Sequence, residues 1–263
     1  NGARKTTLMH LSMGLIEPSA GDVLVFGRSP HKAPAQVLAH VGFVAQDRSL
    51  YRNFTVRDMF TFGRKLNPRW DDDQARARMQ QLEIPLNSPV GKLSGGQQAQ
   101  VTLALVLAKR SELLLLDEPA AHLDPLARKE FQQTLLNAAS TSHLTIVISS
   151  HILSDLERVC NYLIILSSSR IQLVGSTEQI FRSHKKMQVP SEQVEAIRNA
   201  VPVLQVDQGR SRSTLLIRTN NRSFDPSWKM EDVALEEIIL AYLGRPATNA
   251  PVILEHNEQE ISL

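Results

Sequence analysis

Apolar runs of strand length alternate with stretches of helical spacing along this 263-residue chain. "LLLLDEP" (Leu113–Pro119), "LTIVISS" (Leu144–Ser150) and "YLIILS" (Tyr162–Ser167) are nearly continuous in apolar residues. Continuous rather than alternating hydrophobicity predicts strands covered on both faces, as in a parallel sheet. "DVLVFG" (Asp22–Gly27) and "VGFVAQ" (Val41–Gln46) read as further strands. Between these runs, Pro125–Ala139 carries Leu126, Phe131, Leu135 and Leu136 on a helical pattern, and Ile152–Val159 reads as another helix. Such alternation predicts an α/β fold, a mainly parallel sheet flanked by helices.

Two regions break the pattern. From about Tyr51 to Val90 the spacing is helical, with "TVRDMFTFGRKL" and then "DDDQARARMQQLEI", whose acidic first turn suits a helix amino terminus. We expect an inserted helical subdomain at about 51–95, whose aromatics serve either its own core or a partner. After Arg182 the chain turns polar, and "SHKKMQVPSEQ" reads as a linker. A strand, a Gly-Arg-Ser turn and a second strand follow in "VPVLQVDQGRSRSTLLIRT". "MEDVALEEIILAYLG" is then an amphipathic helix closed by Gly244 and Pro246, and the tail "NEQEISL" is expected to be flexible. The expected division is 1–182 for the main domain and 183–263 for a small C-terminal α+β accessory region.

Composition narrows the classes. A formal net charge of +2 is too balanced to argue for nucleic acid or an anionic membrane surface. The longest apolar stretch, Val101–Leu116, is interrupted by Lys109, Arg110 and Glu112 and falls short of the roughly 20 residues that span a bilayer. No signal peptide is evident. The single Cys160 excludes an internal disulfide and fits a reducing compartment, most simply as an inert buried thiol.

Three short motifs carry candidate chemistry. Lys5-Thr6-Thr7 ahead of an apolar helix has the form of a phosphate loop running into its helix, with lysine for the β- and γ-phosphates and a hydroxyl for Mg²⁺. "LLLLDEP" ends a buried strand in Asp117 and Glu118, at the sheet edge where such folds bind ligands. Asp117 suits a metal and Glu118 an attacking water; two solvated acids at a strand end are the plainer reading. "LSGGQ" (Leu93–Gln97) leaves backbone amides open at a helix start, and it is equally a flexible turn with a serine cap.

Taken in order, "LSGGQ", "LLLLDEP", "AHLD" and "ISSH" resemble the nucleotide-binding subunit of an ATP-binding cassette (ABC) transporter, the bacterial type serving separate permease chains. The resemblance runs from Asn1 to about Arg182 and implies a P-loop NTPase-type fold. It implies ATP and Mg²⁺ as cofactors, ATP hydrolysis as the activity and transport, expected to be export, as the purpose. It further implies a second ABC subunit as partner, a transmembrane permease, no nucleic acid, and a place on the inner face of the cell membrane. By resemblance, Asn1, Gly2, Ala3, Lys5, Thr6 and Thr7 hold the phosphates. Ser94, Gly95, Gly96, Gln97 and Asp124 meet nucleotide or partner across a head-to-tail dimer. Thr6, Gln46 and Asp117 attend the metal, and Glu118, His151 and Gln46 the hydrolysis. For His151 a local helix-start hydrogen bond, and for Asp124 a turn before Pro125, stand as alternatives.

The sequence also departs from the family. Arg4 stands where a glycine adjoins the lysine, and glycine permits torsions and close phosphate approach that a side chain obstructs. The chain opens on Asn1, so we expect an amino terminus cut within the phosphate loop, a sheet lacking its central strand, and weakened ATP binding. A catalytically weak, structural or regulatory cassette is the alternative that Arg4 raises.

Overall fold

The leucine run forms the middle of a parallel sheet. The structure, a computed structural model, describes residues 5–47, 50–219, 228–245 and 251–254. These residues form two compact units, one of residues 5–151 and one from Ile152 onward.

In the first unit the described elements run α1 (Lys5–Ser12), α2 (Pro34–Leu38), β1 (Val41–Val44), α3 (Val56–Leu66), α4 (Asp72–Gln81), α5 (Gly95–Ala108), β2 (Leu113–Asp117), α6 (Pro125–Thr141) and β3 (Thr145–Ser149). β2 lies between β1 and β3, parallel to both. Alternate leucines of β2 serve opposite faces, as the period of a strand requires. Leu114 and Leu116 join Leu103, Phe131 and Leu135 from α5 and α6. Leu115 joins Met13, Val25, Val37 and Val41 on the other side. That two-sided burial is why the run reads as unbroken.

The insertion forms its own core. Val56, Met59 and Phe60 of α3 meet Ala75 and Met79 of α4, and the cluster rests on Val101, Ala104 and Ala108 of α5. Its helices are capped as their sequences allow. Thr55 and Asp58 form a reciprocal capping box at α3, and the Asp71 side chain accepts from Gln74 N at α4. The hydrogen bonds from Thr55 hold the Asp58 carboxyl below its ordinary range.

The second unit contains α7 (Leu153–Val159), β4 (Tyr162–Ser167), β5 (Arg170–Ser176), α8 (Thr177–Ser183), β6 (His184–Pro190), α9 (Val194–Ala200), β7 (Val203–Asp207), β8 (Arg212–Arg218), β9 (Met230–Glu231), α10 (Leu235–Leu243) and β10 (Val252–Ile253). β4, β5 and β10 make a small mixed sheet, and β7-β8-β6-β9 an antiparallel one.

Four expectations are corrected. "DVLVFG" is no strand: Val25 and Arg28 form an isolated bridge across a turn in which Phe26 and Gly27 take φ of 52° and 71°. "SHKKMQVP" is no linker but β6, paired on both sides. Its polar look hides an apolar face, for Met187 and Val189 are buried, while Lys185 and Lys186 pair with Asp232 and Glu237. "YLIILS" is antiparallel to β5, with Tyr162 and Ile164 exposed, and Val147 of β3 is exposed too. Neither strand is covered on both faces. Finally, the terminal helix begins at Leu235, after a short strand and a turn, rather than at Met230. Pro246 and the tail from 255 lie outside the described residues.

Candidate nucleotide site

Parallel register brings three chain segments to one sheet edge. Val44 pairs with Leu116, and Asp117 with Ser149, so β1, β2 and β3 end together at their carboxyl ends. Gln46, Glu118 and His151 each follow one of those ends. This is where open parallel sheets place their ligands.

Ser149 binds the two carboxylate residues into one unit. Its Oγ donates to Asp117 Oδ1 at 2.5 Å and accepts from Glu118 N at 2.9 Å. Glu118 N also lies 3.2 Å from Ser149 O. The amide is thereby held while Glu118 adopts φ of 48°, a left-handed conformation that costs a non-glycine residue about 1–3 kcal/mol. The Glu118 carboxylate meets side chains from two other segments. Lys5 Nζ is 3.4 Å from Oε1, and His151 Nδ1 is 2.6 Å from Oε2. His151 N donates to the same Oε2 at 3.3 Å.

Asp117 is 1% exposed, and its Oδ2 is buried with no hydrogen-bond partner among the described residues. An ionised oxygen left so is costly unless a cation or water meets it. A hard divalent cation suits this donor, with the Thr6 hydroxyl beside Lys5 and the Gln46 amide oxygen as further oxygen ligands. Among the described residues no three His, Cys, Asp or Glu side chains gather to hold a metal alone.

Thr6 and Thr7 occupy the first turn of α1, both half-buried. Asn1, Gly2, Ala3 and Arg4 lie outside the described residues. Gln46 is exposed in a turn past β1. The glycine-bearing turn takes the capped form that its sequence offers. Ser94 Oγ accepts from Gln97 N at 3.2 Å, and Gln97 Oε1 accepts from Ser94 N at 3.0 Å. Ser94 and Gly95 stay exposed, and nothing lies within 4 Å of a Cβ built on Gly95. Asp124 caps α6, accepting from Leu126 N and Ala127 N at 3.0 Å each. The sheet edge thus gathers Lys5, Asp117, Glu118 and His151, while Ser94–Gln97 and Asp124 head separate helices. Ser149 was not singled out in the sequence. The signal was present, a small hydroxyl ending the apolar run Leu144–Ser150 just before a candidate histidine.

The ABC transporter family profile matches residues 1–121. The chain is 29% identical to the ABC transporter ATP-binding protein YtrB of Bacillus subtilis over 255 residues, 93% of this chain and 86% of that one. It is 32% identical to the sulfate/thiosulfate import ATP-binding protein CysA of Bradyrhizobium diazoefficiens, over 70% of this chain and 56% of that one. Identity to the bacitracin transport ATP-binding protein BcrA of Bacillus licheniformis is also 32%, over 65% and 56%. The chain therefore spans just over half the length of the latter two. Among solved structures, an ATP-binding subunit of an ABC transporter matches with TM-score 0.61 at 24% identity, over 69% of this chain and 78% of that one. The cbiO1 protein of Clostridium perfringens, part of the cbiONQ transporter complex, matches with TM-score 0.59 at 25% identity, over 76% and 80%. The fold is that of a P-loop ATP-binding cassette. The chain belongs to the ABC transporter family, as an ATP-binding subunit.

Proposed function

We propose that this subunit hydrolyses ATP to drive a separate transmembrane permease, working as a head-to-tail pair of cassettes at the inner face of the cell membrane. The observation that carries the proposal is the convergence of Lys5, Asp117, Glu118 and His151 on one sheet edge. Phosphoryl transfer asks mainly for positioning and charge stabilisation. Lys5 exchanges Glu118 for the β- and γ-phosphates. Glu118, fixed by the His151 amide and ring, accepts the proton of the attacking water. His151 reaches the γ-phosphate through Nε2, which needs a proton there while Nδ1 still faces Glu118. Asp117 and Thr6 hold Mg²⁺, which when bound neutralises phosphate charge, and Gln46 attends the metal or the water. The Ser94–Gln97 turn and Asp124 present open amides and a carboxylate to the second cassette.

The permease is proposed to dock on the helical insertion. Support comes from Tyr51, Phe54 and Phe62, all exposed, with the Tyr51 ring tilted against Phe54 at 5.1 Å and edge-on to Phe62 at 6.1 Å. Beside them opens a cleft of about 890 Å³ walled by Met59, Phe62, Leu66 and Trp70, with Arg69 and Lys109 at its polar side. Among the described residues no helix is long and apolar enough to cross a membrane. We also infer an ATPase domain at 1–182 and an accessory region at 183–263; the new antiparallel sheet that starts at His184 supports this boundary, whereas the compact units divide at Ile152. Export is proposed from the resemblance of that accessory region alone. A weak, regulatory cassette has no support in the described site, since Arg4 lies outside it.

The test is Glu118→Gln in the full chain. ATP turnover falls about 10²–10⁴-fold, as for loss of a general base, while ATP binding persists and cassettes pair in its presence. Unchanged turnover, or loss of binding equal to the loss of turnover, refutes the assignment. Co-purification of a permease and ATP-driven flux in inside-out vesicles decide partner and direction.

A further inference from the structure

We propose that Arg78 is a positioning residue: it sets the spacing of α5 and α6 and so aligns the Ser94–Gln97 turn with Asp124. The inference rests on the paired-cassette reading, because that reading makes the two helix starts one working face.

The two helices touch at their first turns. A Cβ built on Gly96 would lie 3.0 Å from Ala127 Cβ, so a side chain there would push Ala127 back by a few tenths of an ångström. Apolar contact alone resists separation but not sliding, since it has no direction. Arg78 supplies direction. It projects from α4, and a single nitrogen, Nη2, donates to Gln100 Oε1 of α5 at 2.9 Å and to Thr134 Oγ1 of α6 at 2.6 Å. Gln100 lies about one turn beyond Gly96, and Thr134 about two turns beyond Ala127.

Each partner is itself restrained. Thr134 commits its own proton to Glu130 O at 2.8 Å, which leaves a lone pair for Arg78. Gln100 is buried. Nη1 donates to Gln81 Oε1 at 3.0 Å, which fixes the guanidinium from its own helix. Nε is buried and has no hydrogen-bond partner among the described residues, so the guanidinium is held through its two terminal nitrogens. A planar guanidinium serving two acceptors on two helices allows little relative shift, because its donors are rigidly oriented. The insertion, through α4, thereby controls how the turn headed by Ser94 sits against the α6 cap.

The experiment uses the full chain with Cys160→Ala, and spin labels on Lys92→Cys and Lys129→Cys. Both lysines are exposed, one before α5 and one in α6. Arg78→Met and Thr134→Val are compared singly and together. Arg78→Met is expected to broaden or shift the label distance, Thr134→Val to do so less, and the double variant to add nothing to Arg78→Met. ATP turnover should fall about 10- to 100-fold, with nucleotide affinity of the single chain within about twofold, as for misplacement of a remote group. An unchanged distance with a lower melting temperature makes Arg78 a packing residue only and overturns the proposal. So does a parallel loss of nucleotide affinity. A parent chain without ATP turnover sinks the hydrolytic reading instead, and the label distances still decide the role of Arg78.

Discussion

His151 and His184 show what separates a working histidine from a structural one. The His151 side chain is 61% exposed and touches the Glu118 carboxylate with one ring nitrogen, at an edge where Asp117 Oδ2 is still unpartnered. His184 is 0% exposed, and both its ring nitrogens are occupied. Nδ1 meets Ile180 O at 2.7 Å, and Nε2 meets Tyr242 Oη at 3.0 Å. Burial pushes the His184 ring down to about 4 and the Tyr242 hydroxyl up, so both stay neutral at physiological pH. One cluster is open and incomplete; the other is closed and satisfied. An unpartnered carboxylate oxygen beside a lysine and an exposed histidine is the combination that a phosphate and its cation would complete.

The comparison can be broken at either end. Replacing His151 with Ala should cut ATP turnover about 10²–10³-fold, or about 3–4 kcal/mol of transition-state stabilisation. Thermal melting should hardly move. A loss of stability without loss of turnover would put His151 in the structural class.

His184 makes the opposite prediction. Between pH about 6.5 and about 4 the unfolded chain binds a proton that the folded chain refuses, so stability falls as pH falls through this window. The full effect is about 3 kcal/mol, present above pH 6.5 and lost on acidification. His184→Asn should flatten that part of the urea-unfolding profile and leave turnover unchanged. An identical slope in both proteins would show that His184 is not buried neutral.

Ser149→Ala tests the junction itself. It strips a partner from Asp117 and another from Glu118, both buried, and should cost about 2 kcal/mol of stability as well as turnover. Loss of only one of the two would mean that the serine does not link them. The smallest effect belongs to Cys160, whose thiol burial pushes up to about 11. Its alkylation at pH 8 should be slow and should accelerate only on unfolding.

Much of the site was legible because its signals are local. Ser94, Asp124, Thr55 and Asp71 cap helices where their short side chains and positions predict, since a cap needs only a few adjacent residues. The run Leu113–Leu116 announced a strand buried on both sides. "DVLVFG" has the apolar content of a strand, but only one of its apolar residues reaches a core, and it does so from a turn. Val25 enters that core, while Leu24 and Phe26 stay exposed.

By itself the sequence determined the family, the order of the motifs and the caps of the helices, because these depend on neighbours along the chain. Only tertiary structure decided that Ser149 ties Asp117 to Glu118, that Lys5 answers Glu118, and that Arg78 joins α5 to α6. It also made "SHKKMQVP" a strand, by supplying carboxylates for its lysines from Asp232 and Glu237 and a core for Met187 and Val189. The reason is the same throughout: hydrogen-bond and charge partners distant in sequence have no periodic signature, and the fold alone brings them within reach.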